Sequence, residues 1–379
     1  MRPCSAKIHL DRLQANFREI KALAGANVEL FPVVKADAYG HGAIQCAKAL
    51  LAEGARTFCV ACVEEALEII ESGVLARFIL LSGVFPGEEK EVLQYGLIPV
   101  ISDLETAQTL SAAAKRQNKK VKVHLKVDTG MGRLGVLPES FSELYSGVRG
   151  LEGLEVEGVL SHLACSDSLR EKDVQFTDKQ VQDFQMIQKA LSRQDPGIRY
   201  FHLAQSAGLI KYPESYFNSS RPGLILYGAS PFYPADPGVQ VPKVDPVMSL
   251  VSKVCLLKTM PQGSSISYGA TTIVKRKSRV GVVSIGYADG LPRSVPAGFH
   301  FMVQGQPAPL LGLVTMDWIM VDLTEVPEAK VGDEVIIFGK EDEGEVSVSA
   351  LAHAGRTISY EILTRLGKRV KREYVNAQS

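Results

Sequence analysis

From about residue 12 to about residue 230 the chain alternates between short apolar, β-branched runs and longer stretches with helical spacing. The runs are FPVVK (31–35), TFCVA (57–61), FILLS (78–82), LIPVI (97–101), VKVHLKV (121–127), GVLSH (158–162), YFHLA (200–204) and LILYG (224–228). Between most of them lie amphipathic segments such as AIQCAKALLAEG (43–54), VEEALEIIESG (63–73) and LETAQTLSAAAKRQ (104–117). Strand–helix alternation of this kind predicts βα units and a parallel sheet. Eight such runs match the strand number of a (β/α)8 barrel, the TIM barrel, and about 220 residues is a normal size for one. An open doubly wound sheet is the alternative. It is weakened because no GxGxxG follows the first strand and no Walker-type glycine-lysine loop is present.

After about residue 240 the texture changes. VMSLVSKVCLLKT, SRVGVVSIGYADG, FMVQGQPAPLLGLVTMDWIMVDL and VGDEVIIFG alternate as strands, broken by glycine and proline turns with few helical patterns between them. This predicts a second, mostly antiparallel β domain. The expected division is a barrel over 11–240 and a β domain over 241–379, joined by a first strand at about 1–10. Pro231–Pro246, with five prolines and a glycine, is the expected linker. A closing helix is expected over Ser359–Lys371, with Ile362, Leu363, Leu366 and Val370 on its apolar face.

Composition narrows the functional classes. Hydrophobic residues make up 46% of the chain, enough for a full core. Lys+Arg and Asp+Glu are equal at 42 each, so no global field recruits nucleic acid or an anionic membrane. The basic runs Lys275–Arg279 and Lys368–Arg372 read as solvated faces. No apolar run approaches the ~20 residues a membrane span needs. Arg2 is not followed by an apolar h-region, so a cytoplasmic location is expected. The six cysteines are scattered, and Cys59-x-x-Cys62 has no second pair at zinc spacing, so both are expected to be small buried hydrophobes. No metal is expected.

A barrel places functional residues just after its strands, on the C-terminal rim. Lys35 closes the first run and Tyr39 follows it. The fifth run leads through Asp128-Thr129-Gly130-Met131-Gly132 to Arg133. His162 ends the sixth, the seventh leads to Ser206, and Arg221-Pro222-Gly223 enters the eighth. A lone His or Arg at a strand end is more often structural than catalytic. Polar groups from five strands at one rim are harder to explain that way. Desolvation lowers a lysine pKa and frees its lone pair for Schiff-base chemistry with a carbonyl. A Schiff-base aldolase and a pyridoxal 5′-phosphate (PLP) enzyme both fit that chemistry. PLP would additionally need a phosphate cup and a partner for its ring nitrogen.

Seven stretches then carry a resemblance: VVKADAYGHG, KVDTGMGRLG (126–135), RPGLILYG (221–228), SYGATT (267–272), GYADG (286–290), VTMD (314–317) and TISYEILTRL (357–366). In this order, from about Ile8 to Arg369, they resemble the PLP-dependent, barrel-type alanine racemases. The resemblance implies a homodimer with shared active sites, PLP as cofactor and alanine as substrate. Racemisation would use two bases, and its D-alanine product would supply peptidoglycan synthesis. It implies that Lys35 carries PLP and is one base, and that Tyr268, reaching the partner's cofactor, is the other. Arg221 would bond the ring nitrogen, and His162 would stack near the ring and brace that arginine. Tyr39, Ser206, Gly223, Leu224 and Tyr360 would hold the phosphate. Arg133 would lie near the phenolic oxygen and the substrate carboxylate, and Met316 and Asp317 would hold that carboxylate. Tyr287 would line the entryway, and Lys126 matches a position carbamylated in some members. The lysine motif alone is shared with PLP-barrel decarboxylases, against which Arg221 and SISYGATT argue. A single-barrel PLP-binding regulator would lack the second domain. Gln205, Thr315, Trp318 and Arg356 depart from the family pattern. Thr315 and Trp318 leave open a broader specificity that includes serine.

Overall fold

The computed structural model describes residues 2–234 and 238–375. Part of the linker expected at Pro231–Pro246 therefore lies outside the described residues. The first strand, β1 (Ser5–His9), is followed by eight short parallel strands. These are β2 (Glu29–Leu30), β3 (Thr57–Val60), β4 (Arg77–Leu80), β5 (Ile98–Ile101), β6 (Val121–Lys126), β7 (Leu154–Leu160), β8 (Tyr200–His202) and β9 (Ser219–Ser220). They run in the order β2-β9-β8-β7-β6-β5-β4-β3, every neighbour parallel. A bridge between Val33 and Cys59 closes the ring, with Cys59 N–H donating to the Pro32 carbonyl and Val34 N–H to the Cys59 carbonyl, both at 2.9 Å. Phe31 packs in the interior against Tyr200, His202 and His124, and Phe58, Val123, Leu125 and Phe201 are fully or almost fully buried.

Two runs behave differently from the expectation. LILYG is not the eighth strand: Leu224–Tyr227 form a 3-10 turn, and Ser219–Ser220 pair with β8 and β2 instead. A continuous apolar run looks alike as a strand or as a buried turn, because both bury every side chain. The correction puts Arg221 directly after a barrel strand. The first run is also shorter than expected. Pro32 has no N–H to give the ladder, so the regular strand stops at Leu30 and only the Val33 bridge continues it.

The helices predicted from spacing form over Ala43–Ala52, Val63–Glu71 and Leu104–Arg116. Cys59 is buried in β3, whereas Cys62 is half-buried and caps the helix Val63–Glu71.

The C-terminal domain is a nine-stranded sheet built around a long strand, β10 (Met248–Met260). Along its length β10 pairs antiparallel with Glu334–Glu341 through Leu250–Lys253 and with Ser278–Val283 through Val254–Met260, with a register shift in each pairing. β1 pairs antiparallel with β10 and parallel with Lys371–Val375. The helix expected over Ser359–Lys371 ends at Thr364, and the chain from Lys371 is the edge strand beside β1. Leu366 and Val370 are buried all the same, through turns rather than a helical face. Among the described residues, no helix is long and apolar enough to cross a membrane.

Candidate active site

Lys35 follows directly on the closure of the barrel. The next four residues, Ala36 to Tyr39, all have positive φ of 51–54° and form one turn of left-handed helix. For residues with a Cβ this costs roughly 1–2 kcal/mol each, so the surroundings must over-determine it. Glu65 does so from one side, accepting from Ala36 N–H and Ala61 N–H, both at 2.7 Å. Asp37 accepts from Ala43 N–H at 2.7 Å, and the His41 ring engages the Ala38 and Tyr39 carbonyls. At Gly40, also at positive φ, a Cβ would lie 2.3 Å from the Leu363 carbonyl. The small residues after Lys35 thus serve a strained turn that fixes where the amine and the Tyr39 ring stand.

The rim opens into a cavity of about 650 Å³. Of the predicted residues, Lys35, Tyr39, Lys126, Arg133, His162, Ser206, Arg221, Gly223 and Tyr360 line it, and Leu224 is buried next to Gly223. Arg221 is almost fully buried with no carboxylate against it. Its guanidinium donates to the carbonyls of Ser161 (2.6 Å), His202 (2.7 Å) and Leu203 (3.1 Å), and to Nδ1 of His202 (2.7 Å) and of His162 (3.4 Å). Burial pushes it down to about 10, so it stays charged at neutral pH. His162 is held well below 6.5 by burial and by Arg221, which keeps the ring neutral and able to accept. Burial lowers the Lys35 amine, with Arg133 acting in the same direction. Burial, then Arg221 and Arg133, hold Lys126 well below the usual lysine range.

One end of the cavity is shaped for an anion. Ser206 Oγ sits under the turn, accepting from Gly223 N–H (3.0 Å) and Ile225 N–H (3.3 Å). A Cβ on Gly223 would lie 2.6 Å from the Tyr39 hydroxyl, so only glycine leaves that hydroxyl its place. Tyr39 is boxed between Tyr227 and Tyr360, with ring centroids at 5.0 and 5.7 Å. Gln205 caps the helix Ser206–Lys211 by accepting from Gly208 N–H at 2.7 Å, and donates to Ser166 Oγ at 2.7 Å. The departure at this position therefore still supports the serine beside it. Arg133 is delivered by a loop folded around Asp128, whose carboxylate accepts from the N–H groups of Gly130, Met131 and Arg133 at 2.7–2.9 Å.

Four predicted residues are not in this cavity. Tyr268 (68% exposed), Met316 (53%), Tyr287 (41%) and Asp317 lie on the C-terminal domain. Tyr268 lies along a separate groove of about 500 Å³, with Thr315 and Trp318. The Thr315 hydroxyl donates to the Trp318 carbonyl (2.7 Å) and accepts from Trp318 N–H (3.2 Å), closing the turn that carries Met316 and Asp317.

Sequence reasoning missed Ile225 in the anion cup and His124 beneath the floor. His124 Nδ1 and His202 Nε2 are 2.8 Å apart, and His202 in turn meets Arg221. Strand alternation offered a signal, since His124 and Lys126 stand two apart in β6 and so face the same way.

Comparison with known proteins fits this geometry. Models of the alanine racemase N-terminal and C-terminal domains match residues 8–231 and 247–374. The chain is 38% identical to alanine racemase of Halothermothrix orenii, covering 99% of this chain and 97% of that one. It is also 38% identical to alanine racemase of Treponema denticola, over 99% of each. Its structure is similar to the biosynthetic alanine racemase of Pseudomonas aeruginosa (TM-score 0.88, 36% identity, 99% and 100% of the two chains). It is likewise similar to alanine racemase from a D-cycloserine-producing Streptomyces lavendulae (TM-score 0.91, 32% identity, 100% and 98%). With both family models matched and relatives at 38% identity aligned almost end to end, the chain belongs to the alanine racemase family, isomerases that act on amino acids.

Proposed function

We propose that this chain interconverts L- and D-alanine with PLP held in the barrel cavity, each active site being completed by a second copy of the chain. The observation that carries the proposal is the division of the site. The cavity holds one base, Lys35, while Tyr268 and the Met316–Asp317 turn stand on an exposed face of the same chain. Inversion at Cα needs one group to remove the proton and another to return one from the opposite side.

The residues present suit PLP. The cup of Ser206, Gly223, Leu224, Tyr39 and Tyr360 suits its phosphate, made as it is of hydroxyls and turn N–H groups. Arg221 would bond the ring nitrogen, with His162 bracing it, and Arg133 would face the phenolic oxygen and the substrate carboxylate. When bound, the cofactor supplies an electron sink for the Cα–H bond. Lys35 Nζ, with its lowered affinity for protons, takes the α-proton on one face. Tyr268 Oη of the partner subunit holds the proton on the other. Arg221 keeps its own protons and so leaves the ring nitrogen unprotonated. With the cofactor bound, that would weaken the sink and favour return of the proton over side reactions. The backbone of Met316 of the partner subunit, with Asp317 of the partner subunit beside it, would help seat the substrate carboxylate, and Tyr287 of the partner subunit would narrow the entry to a methyl-sized side chain.

Lys126 is placed to carry a carbamate. Its amine is nearly buried, its proton affinity is reduced, and Arg133 and Arg221 would face the resulting anion. Labelled bicarbonate should give a carbamate signal that a Lys126→Ala variant lacks, and an unmodified amine would end the idea. The D-alanine made would feed peptidoglycan synthesis in the cytoplasm.

The test is incubation of the PLP-loaded protein with L-alanine in heavy water, followed by proton NMR and chiral chromatography. Deuterium at Cα together with approach to equal L and D is the expected result. Exchange with retained L configuration would mean that one base works alone, with Tyr268 misassigned or the dimer come apart. Release of CO2 from another amino acid would replace racemase with decarboxylase. The same assay with L-serine tests the broader specificity that Thr315 and Trp318 leave open.

A further inference from the structure

Two arginines far apart in sequence converge on the turn that carries Met316. Arg2 donates to the carboxylates of Asp289 and Asp317 and to the Asp317 carbonyl, each at 3.0 Å. Arg369 donates to Asp289 at 2.6 Å, to Asp317 at 2.7 Å and to the Met316 carbonyl at 3.4 Å. Asp289 is 1% exposed, so its charge is tolerable only because both guanidiniums meet it. Its second anchor is the Gly286 N–H at 2.9 Å. Tyr287 N–H and Ala288 N–H reach across to the Thr315 and Met316 carbonyls at 3.0 and 3.1 Å. At Gly286 a Cβ would lie 2.3 Å from both of those carbonyls, so the two loops touch backbone to backbone.

The cluster therefore fixes the loop bearing Tyr287 and the turn bearing Met316 as one unit. Two cations and two anions leave it neutral, so it offers a substrate carboxylate neither strong attraction nor repulsion. Both guanidiniums meet Oδ1 of the Asp317 carboxylate, and that negative group does not attract a substrate carboxylate. The backbone it holds remains, and the Met316 N–H makes no hydrogen bond to another described residue.

We propose that Arg2, Arg369 and Asp289 are positioning residues for substrate binding. They clamp the Met316–Asp317 backbone and the Tyr287 loop in the one arrangement that completes the carboxylate seat in the partner's barrel. The inference rests on the shared-site reading above. A guanidinium spans Asp289, Asp317 and a carbonyl at once because its donors form a rigid fork; a single ammonium cannot.

The test is Arg369→Lys, which keeps the charge and removes the fork, measured in the PLP-loaded enzyme with Arg2→Lys as the second variant should the first fail to fold. The expected result is a KM for alanine raised about tenfold with kcat within about threefold of wild type. Dimer content, cofactor absorption and melting temperature should be unchanged. A KM equal to wild type in the folded variants overturns the clamp. A loss of kcat, dimer and melting temperature together, with no KM effect of its own, also overturns it by reducing the cluster to a structural one. The variant is then reassociated with excess Lys35→Ala chains. In the mixed dimer the one site that retains Lys35 receives an intact clamp from the other chain, so KM should return to the wild-type value. A KM that stays raised in verified mixed dimers would show that the clamp serves its own barrel, overturning the shared site and leaving the KM effect itself measured.

Discussion

Gly223→Ala isolates the fit between the anion cup and the ring that closes it. Gly223 has a negative φ of −126°, so the substitution does not require a left-handed backbone. Its cost is the new methyl, 2.6 Å from Tyr39 Oη and 3.2 Å from Cζ. A contact under 3 Å cannot stand, and the Tyr39 ring cannot simply swing away from Tyr227 and Tyr360. Overpacking of this kind costs typically 1–3 kcal/mol. On the proposed reading the displaced groups are the phosphate donors, so the cost should fall on cofactor affinity, a loss of roughly fivefold to 150-fold in PLP Kd. Equilibrium titration of the apoprotein with PLP, followed by absorbance, reads it directly. Tyr39→Phe removes the atom at 2.6 Å and leaves the 3.2 Å contact. Alone it should weaken PLP by losing one donor, and combined with Gly223→Ala it should cost less than the two single effects added. A PLP Kd unchanged in Gly223→Ala, or strict additivity in the cycle, would refute the packing argument.

Other expectations follow from the same geometry. Tyr268→Phe should leave PLP binding intact because Tyr268 is exposed and outside the cavity; racemisation should fall by a hundredfold or more, while α-proton exchange with retention persists from one enantiomer, as NMR in heavy water would show. Asp128→Ala should loosen the loop that delivers Arg133 by removing the acceptor of three N–H groups, costing about 2–3 kcal/mol locally and raising KM for alanine in steady-state assays. Acid should unfold the protein in a defined window. Although burial alone would raise the Glu157 carboxyl, His124, Lys122 and Arg77 together bring it from 4.5 to about 2, so its stabilisation is complete above about 4.5 and is lost as pH falls towards 2. His41, buried and held neutral, is lowered from 6.5 to about 4, so its contribution is complete above 6.5 and declines as pH falls to 4. Denaturant titrations at pH 7, 5 and 3 should show midpoints falling steadily, and a midpoint constant between pH 7 and 4 would remove the His41 argument.

How much of this was legible from the chain depends on the range of the interaction involved. Strand–helix alternation identified the barrel and the change of class after residue 240, because burial patterns with periods of 2 and 3.6 are written locally. The same logic failed at Leu224–Tyr227, where full burial erases the period, and at Leu366–Val370, where buried side chains hang from turns. The cavity residues were legible because a parallel barrel brings every strand end to one rim. Lys35, Arg133, His162, Ser206 and Arg221 needed only strand boundaries correct to a few residues.

Features set by long-range contacts have the opposite character. The left-handed turn after Lys35 exists because Glu65 and Asp37 hold it, and no local propensity favours it. The convergence of Arg2 and Arg369 on Asp289 joins residues 287 and 80 positions apart, in a sheet in which β1 lies beside Lys371–Val375. The separation of Tyr268 from the cavity is likewise a matter of where one domain faces once the other is built. The sequence by itself determined which groups were available and which barrel rim would gather them. Their strain, their charge pairing and the face each one occupies are set by contacts between distant segments, which exist only once the chain has folded.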